Sequence, residues 1–156
     1  MKNIPEKENY HHGDLRITLL RVASDMIKEH GIEALSLRKL AAQVGVSRTA
    51  PYHHFKDKNA LLCGIAEHGF EKLNQINQQG FEETYLSNHE RFSRFIHNYI
   101  KFASNNAELY ELMFGRTIWK DKNSTQELRD CAYPCFQFQV TMTQQWQQQG
   151  LLKVDD

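Results

Sequence analysis

The sequence predicts an all-α protein. Apolar residues recur at three- and four-residue steps in segment after segment, and no run shows the two-residue alternation of a strand. Ser, Asp, Asn and Gly stand where these segments begin and end, as helix caps and stops do. The 156 residues are 40% hydrophobic and 24% charged, an ordinary globular composition. A chain of this length can bury one good core, or a small head and a larger body sharing helices.

Residues 1–12 are polar and read as a flexible arm. From Asp14 a helix is expected, with Leu15, Leu19, Val22, Ala23, Met26 and Ile27 on one face and Gly31 ending it as a glycine beyond the last turn does. Ser36 is the N-cap of the next helix, which carries Leu37, Leu40, Ala41 and Val44. Gly45, Val46 and Ser47 make a tight turn, with Ser47 placed to cap a second helix from Arg48. Asp57 caps a fourth helix over 58–76, and Gly80 with the polar stretch to His89 interrupts it. A fifth is expected over Glu90–Ala103, and a short sixth over 107–114 between Asn105 or Asn106 and Gly115. A polar loop at Lys120–Ser124 leads to a last helical pattern, Thr125 to Gln149, kinked or restarted at Pro134.

Residues 36–58 carry the functional signal. Two short helices across a tight turn are the pattern of a helix-turn-helix, whose second helix enters a DNA groove. Ala41 and Gly45 supply the small residue at the crossing and the φ > 0 residue at the turn. Arg38, Lys39, Arg48, Lys56 and Lys58 against Asp57 alone give +4 in 23 residues, as a phosphate-facing surface requires. Arg48 is suited to a guanine edge, and the methyls of Thr49 and Ala50 to a thymine methyl. Tyr52 and His53 offer an O–H and a ring N–H to phosphate; Lys58 adds a cation beside a helix N-terminus. Pro51 fits the first turn of a helix, where an N–H is least missed.

The zero net charge is unevenly spread: residues 1–58 stand at +3 and residues 59–156 at −3. A nucleic-acid surface is therefore local to the head. The polar start has no signal-peptide pattern, and no apolar run approaches the ~18 residues of a membrane span. Cys63, Cys131 and Cys135 are an odd, sparse set that fits free thiols in a reducing cytosol, so a cytoplasmic location is expected. Cys131 and Cys135 share a helix face but have no second ligand pair for zinc. No phosphate-cradling glycine loop, nucleophile elbow or HExxH motif is present, and His11-His12 with Asp14 reads as a solvated arm. No catalytic residue, metal or cofactor is expected.

The run from Leu15 to Leu62 resembles the TetR family of transcriptional regulators. The resemblance rests on LLRVASDMIKEHGIEALSLRKLAAQVGVS, then Tyr52, His54 and Phe55, then Lys58, Leu61 and Leu62. It covers about a third of the chain and departs from the family where Thr49-Ala50-Pro51 replaces a commoner glycine-containing run. It implies a three-helix DNA-binding head over 13–56 and a ligand-binding, regulatory and dimerisation body over 57–156. By the resemblance, Ser36, Arg38, Ser47, Arg48, Thr49, Tyr52, His53 and Lys58 meet DNA. The segment AELYELMFG further resembles the branch with a tryptophan-histidine-glycine type C-terminal domain.

The resemblance implies a repressor released from a double-stranded operator by a small effector. The aromatic-rich second half supports an apolar or aromatic one, in a pocket drawn from Phe95, Tyr99, Met113, Phe114, Phe136 and Met142. It implies a homodimer too, but the family's last two helices, which build the dimer, have no counterpart after Gly150 and are expected to be missing. The alternative reading follows from that: a helical small-molecule- or partner-binding protein that does not bind DNA.

Overall fold

The computed structural model describes residues 12–82, 85–120 and 123–153. Its described residues form helices α1 (His12–His30), α2 (Leu37–Val44), α3 (Lys58–Glu82), α4 (Asn88–Asn105), α5 (Ala107–Phe114), α6 (Arg116–Trp119) and α7 (Gln126–Gln148). Two 3₁₀ turns, Ile32–Ala34 and Ala50–His53, join the first three, and no strand occurs among the described residues. The expected arm lies outside the described residues except for His12, which opens α1. The chain divides into two compact units, a head ending at Lys58 and a body beginning at Asn59.

In the head, Leu19, Ala23, Ile27, Leu35, Leu37, Leu40, Ala41, Pro51 and Phe55 are buried, and α1 and α2 pack on each other. The apolar faces expected of the first two helices meet in that core. Gly31 ends α1 at φ 77°, its N–H donating to the Ile27 carbonyl at 2.7 Å. Ser36 caps α2 by accepting from Lys39 N–H at 3.2 Å. Gly45 then takes the left-handed conformation, φ 79° and ψ 26°. Its N–H and that of Val46 both reach the Ala41 carbonyl at 3.0 Å, so the last turn of α2 is closed and the chain reverses.

In the body, α3 runs through Gly80 to Glu82 rather than stopping there. One helical glycine costs only about 1 kcal/mol relative to alanine, which the packing of Ile65, Phe70 and Leu73 outweighs. Helix α4 begins earlier than Glu90 because Ser87 and Glu90 form a reciprocal capping box. Helix α5 matches its expected limits, but the Asn106 side chain bonds backward to the Phe102 carbonyl at 2.8 Å instead of capping it. Helix α7 continues unbroken through Pro134, so the expected restart does not occur. Pro134 is exposed, and water can serve the Asp130 carbonyl that loses its i+4 donor. Among the described residues no helix is long and apolar enough to cross a membrane.

Candidate nucleic-acid interface and body cavity

The element after the α2 turn is not the α-helix expected from Arg48. Ser47, Arg48 and Thr49 form a turn, and a 3₁₀ helix follows over Ala50–His53 with Thr49 at its N-cap. Pro51 is the reason. In an α-helix its N–H would serve the Ser47 carbonyl; lacking one, it leaves that oxygen to Ala50 N–H at 3.1 Å, an i→i−3 bond. Tyr52 to Thr49 and His54 to Pro51 repeat the pattern at 3.1 and 3.0 Å, and Phe55 to Pro51 closes it at 2.9 Å. The Ser47 hydroxyl lies 3.2 Å from the Thr49 hydroxyl, so Ser47 orients its neighbour and does not cap a helix starting at Arg48.

This tight element presents the candidate side chains. Arg38, Ser47, Arg48, Thr49, Tyr52 and His53 are exposed, while Ser36 and Lys58 are half-buried. Tyr52, at 54%, is among the most exposed large side chains, although its neighbour Pro51 is buried in the head core. The Ser36 oxygen is engaged as a cap, which leaves its O–H proton to donate outward. Phe55 anchors the end of the element in the core, with the Arg16 guanidinium 5.5 Å from its ring centre. That anchor was not anticipated from the sequence. Exposed cations and hydroxyls on a rigid, buried base can meet phosphates and base edges together.

The six candidate pocket residues do not share one cavity. Met113, Phe114 and Phe136 line a cavity of about 650 Å³ with Phe70 of α3, Trp119 of α6, and Tyr133, Cys135 and Gln139 of α7. Phe70 meets Phe114 edge-on at 5.4 Å and Trp119 at 6.4 Å. The Trp119 indole donates to the Met113 carbonyl at 2.7 Å, which fixes one wall. Gly69 permits the close approach of α3 and α5: a Cβ there would sit 2.5 Å from Met113 Sδ. Phe95 and Met142 instead border a void of about 10 Å³ beside Trp146. Tyr99 shares a 2.9 Å hydroxyl–hydroxyl bond with Tyr110, and burial with that bond pushes its phenol pKa up. Phe70 and Trp119 were missed by sequence reasoning, because helical spacing shows a face but not its partner.

Among the described residues no three His, Cys, Asp or Glu side chains gather as a metal site; His11 lies outside them. Burial raises the Cys135 thiol to about 11, so the cavity holds a protonated, weakly nucleophilic sulfur at neutral pH. Cys135 is therefore expected to react with a disulfide reagent about a hundredfold more slowly in the native protein than in urea. Reaction at the same rate in both conditions would show that this cavity wall is open.

Residues 19–63 match the family model for bacterial regulatory proteins of the tetR family. The head is a TetR-family helix-turn-helix domain. The class A tetracycline repressor of Escherichia coli is 46% identical over 50 residues, 32% of this chain and 23% of that repressor. The chain thus matches about a quarter of the length of that curated relative. A protein of unknown function from Rhodococcus sp. RHA1 is similar over 96% of this chain and 76% of its own, at 32% identity and a TM-score of 0.78. The TetR-family regulator PfmR of Thermus thermophilus shares the fold at 23% identity and a TM-score of 0.66, over 88% of this chain and 75% of its own. The TetR head therefore sits in an all-α architecture known from TetR-family structures.

Proposed function

We propose that this protein is a sequence-specific DNA-binding repressor of transcription, released from its operator by a small apolar or aromatic effector. The observation that carries the reading is the exposed set Arg38, Arg48, Thr49, Tyr52 and His53, mounted on a buried core within the segment that matches the TetR family. Arg48 and Thr49 read bases; Ser36, Arg38, Ser47, Tyr52, His53 and Lys58 position the backbone. The repressor sense follows the tetracycline repressor relative. Two heads in a homodimer would read two half-sites one helical turn apart, and light scattering tests that pairing. The body is assigned to the branch with a tryptophan-histidine-glycine type C-terminal domain, supported by the AELYELMF segment that forms α5.

The effector site is the aromatic cavity of Met113, Phe114 and Phe136, of a size suited to a drug-like ligand. Effector binding there shifts α3 and so biases the head between two placements on DNA. The experiment is fluorescence anisotropy with DNA from the promoter region beside the gene, repeated with a panel of aromatic compounds. Tight binding reversed by at least one compound is expected. Phe136→Asp should keep DNA affinity and lose the compound's effect, because a carboxylate in this apolar wall opposes ligand burial. A variant that still responds fully would remove the effector from this cavity.

A further inference from the structure

One face of α3 carries a row of polar side chains tied to α7 and to the loop that leads into it. The Asn59 amide donates to the Asn123 carbonyl at 2.7 Å, and the Cys63 thiol donates to the same oxygen at 3.6 Å. One turn on, the Thr125 hydroxyl donates to the Glu67 carboxylate at 3.2 Å while its oxygen caps α7, accepting from Leu128 N–H at 3.1 Å. Further along, the Asn74 amide donates to the Cys131 carbonyl at 3.4 Å. Each of these ties joins residues at least 57 apart in the chain. At 3.6 residues per turn, residues 59, 63, 67 and 74 fall within roughly 80° of one another around the helix. They form one stripe.

The stripe brackets the aromatic cavity. Phe70, the α3 wall of that cavity, stands in it between Glu67 and Asn74. The facing walls are residues of α7, whose first turn Thr125 caps, and Trp119, four residues before Asn123. Asn123 N–H donates back to the Lys120 carbonyl at 3.1 Å, so the carbonyl that Asn59 holds belongs to a closed turn following directly on the Trp119 wall. Asn59 is the first residue of the body, next to Lys58, where the head ends. A displacement of that turn by about 1 Å would carry the Asn59 bond beyond hydrogen-bonding range unless the start of α3 followed.

We propose that Asn59 is a positioning residue for effector release: its bond to the Asn123 carbonyl carries a change in the aromatic cavity to the first turn of α3. The proposal rests on the effector reading of that cavity and names the path by which occupancy reaches the head boundary. A ligand among Phe70, Trp119 and Phe136 displaces the Trp119 wall and the start of α7. The Asn123 carbonyl moves with them, and the Asn59 amide draws the first turn of α3 after it. The Asn74 tie lies on the side of the cavity away from the head and is outside this path. Two sites joined through one such contact are coupled only as strongly as the contact itself.

Amide hydrogen exchange of the full chain, with and without the neutral aromatic dye N-phenyl-1-naphthylamine, tests it. In the parent the dye should slow exchange both in α7, over 126–139, and in the first turns of α3, over 60–66. Asn59→Ala should bind the dye with unchanged affinity and keep the protection of α7. Its protection of 60–66 should fall by roughly threefold to tenfold, the range that one hydrogen bond supports. Asn59→Gln, which keeps an amide donor, should retain most of that protection. Asn74→Ala removes a tie of the same kind on the far side of the cavity and should leave 60–66 protected. Protection of α7 alone in the parent, or full protection of 60–66 in Asn59→Ala, would overturn the proposal and leave the cavity reading standing. Equal loss in Asn74→Ala and Asn59→Ala would mean general loosening and would overturn it as well. A dye that protects neither segment would overturn the effector reading of the cavity, and the proposal with it.

Discussion

Leu40→Ala is expected to weaken DNA binding strongly by destabilising the head. Leu40 is fully buried between α1 and α2, in the same core as Leu19, Ala23 and Phe55. Removing its branched end takes away transfer energy and leaves a cavity, together about 3 kcal/mol. A unit of this size has a total stability of only about 3–6 kcal/mol. Half of it or more would be lost, and the turn that presents Arg48 would lose much of its support. Urea titration followed by circular dichroism, paired with DNA anisotropy, reads both effects. Leu40→Met, which conserves volume, should cost under about 1.5 kcal/mol and retain binding. A Leu40→Ala protein that binds DNA like the parent would mean that the buried core does not set the interface.

Arg48→Ala is expected to change what the protein reads more than how tightly it holds. Arg48 is exposed at the turn leading into the short 3₁₀ element. A bidentate contact to guanine contributes about 1–3 kcal/mol of discrimination, so the variant should lose roughly tenfold or more in preference for one position of the operator. Its affinity for unrelated DNA should fall much less. Competition binding with single-base operator variants measures this. If the preference profile is unchanged, Arg48 contacts phosphate alone and base reading lies elsewhere on the element.

Much of the head was legible from its residues. Gly31, Ser36 and Gly45 each do locally what their chemistry requires: stop a helix, cap one, and turn left-handed. The form of the second helix was not legible from periodicity. By spacing Pro51 is a harmless first-turn residue, yet its missing N–H converts the element to i→i−3 bonding and displaces the expected cap at Ser47. In the body, the Ser87 and Glu90 spacing announces a capping box and could have set the start of α4. The restart expected at Pro134 and the earlier stop expected near Gly80 do not occur, since a single breaker inside a long, well-packed helix is outweighed by tertiary contacts.

The aromatic residues of the body show the limit of reading one helix at a time. Phe95 and Phe136 both carry helical spacing, but Phe95 packs at 4.9 Å against Trp146 and Phe136 faces the cavity walled by Phe70 and Trp119. That division depends on how the helices pack, which periodicity does not encode. Gly69 is the residue that brings Met113 to the cavity, and nothing in its own segment marks it.

The most direct test of the central claim is operator affinity measured by anisotropy across a salt series, for the parent and for Lys58→Ala. A head that neutralises phosphates should show log K falling linearly with log salt, with a slope of about −0.9 for each phosphate contact. Lys58→Ala should weaken binding to all sequences alike and reduce the slope by about one contact per head. Affinity that ignores salt, or a slope that Lys58→Ala leaves untouched while operator binding persists, would contradict a phosphate-anchored, DNA-reading head.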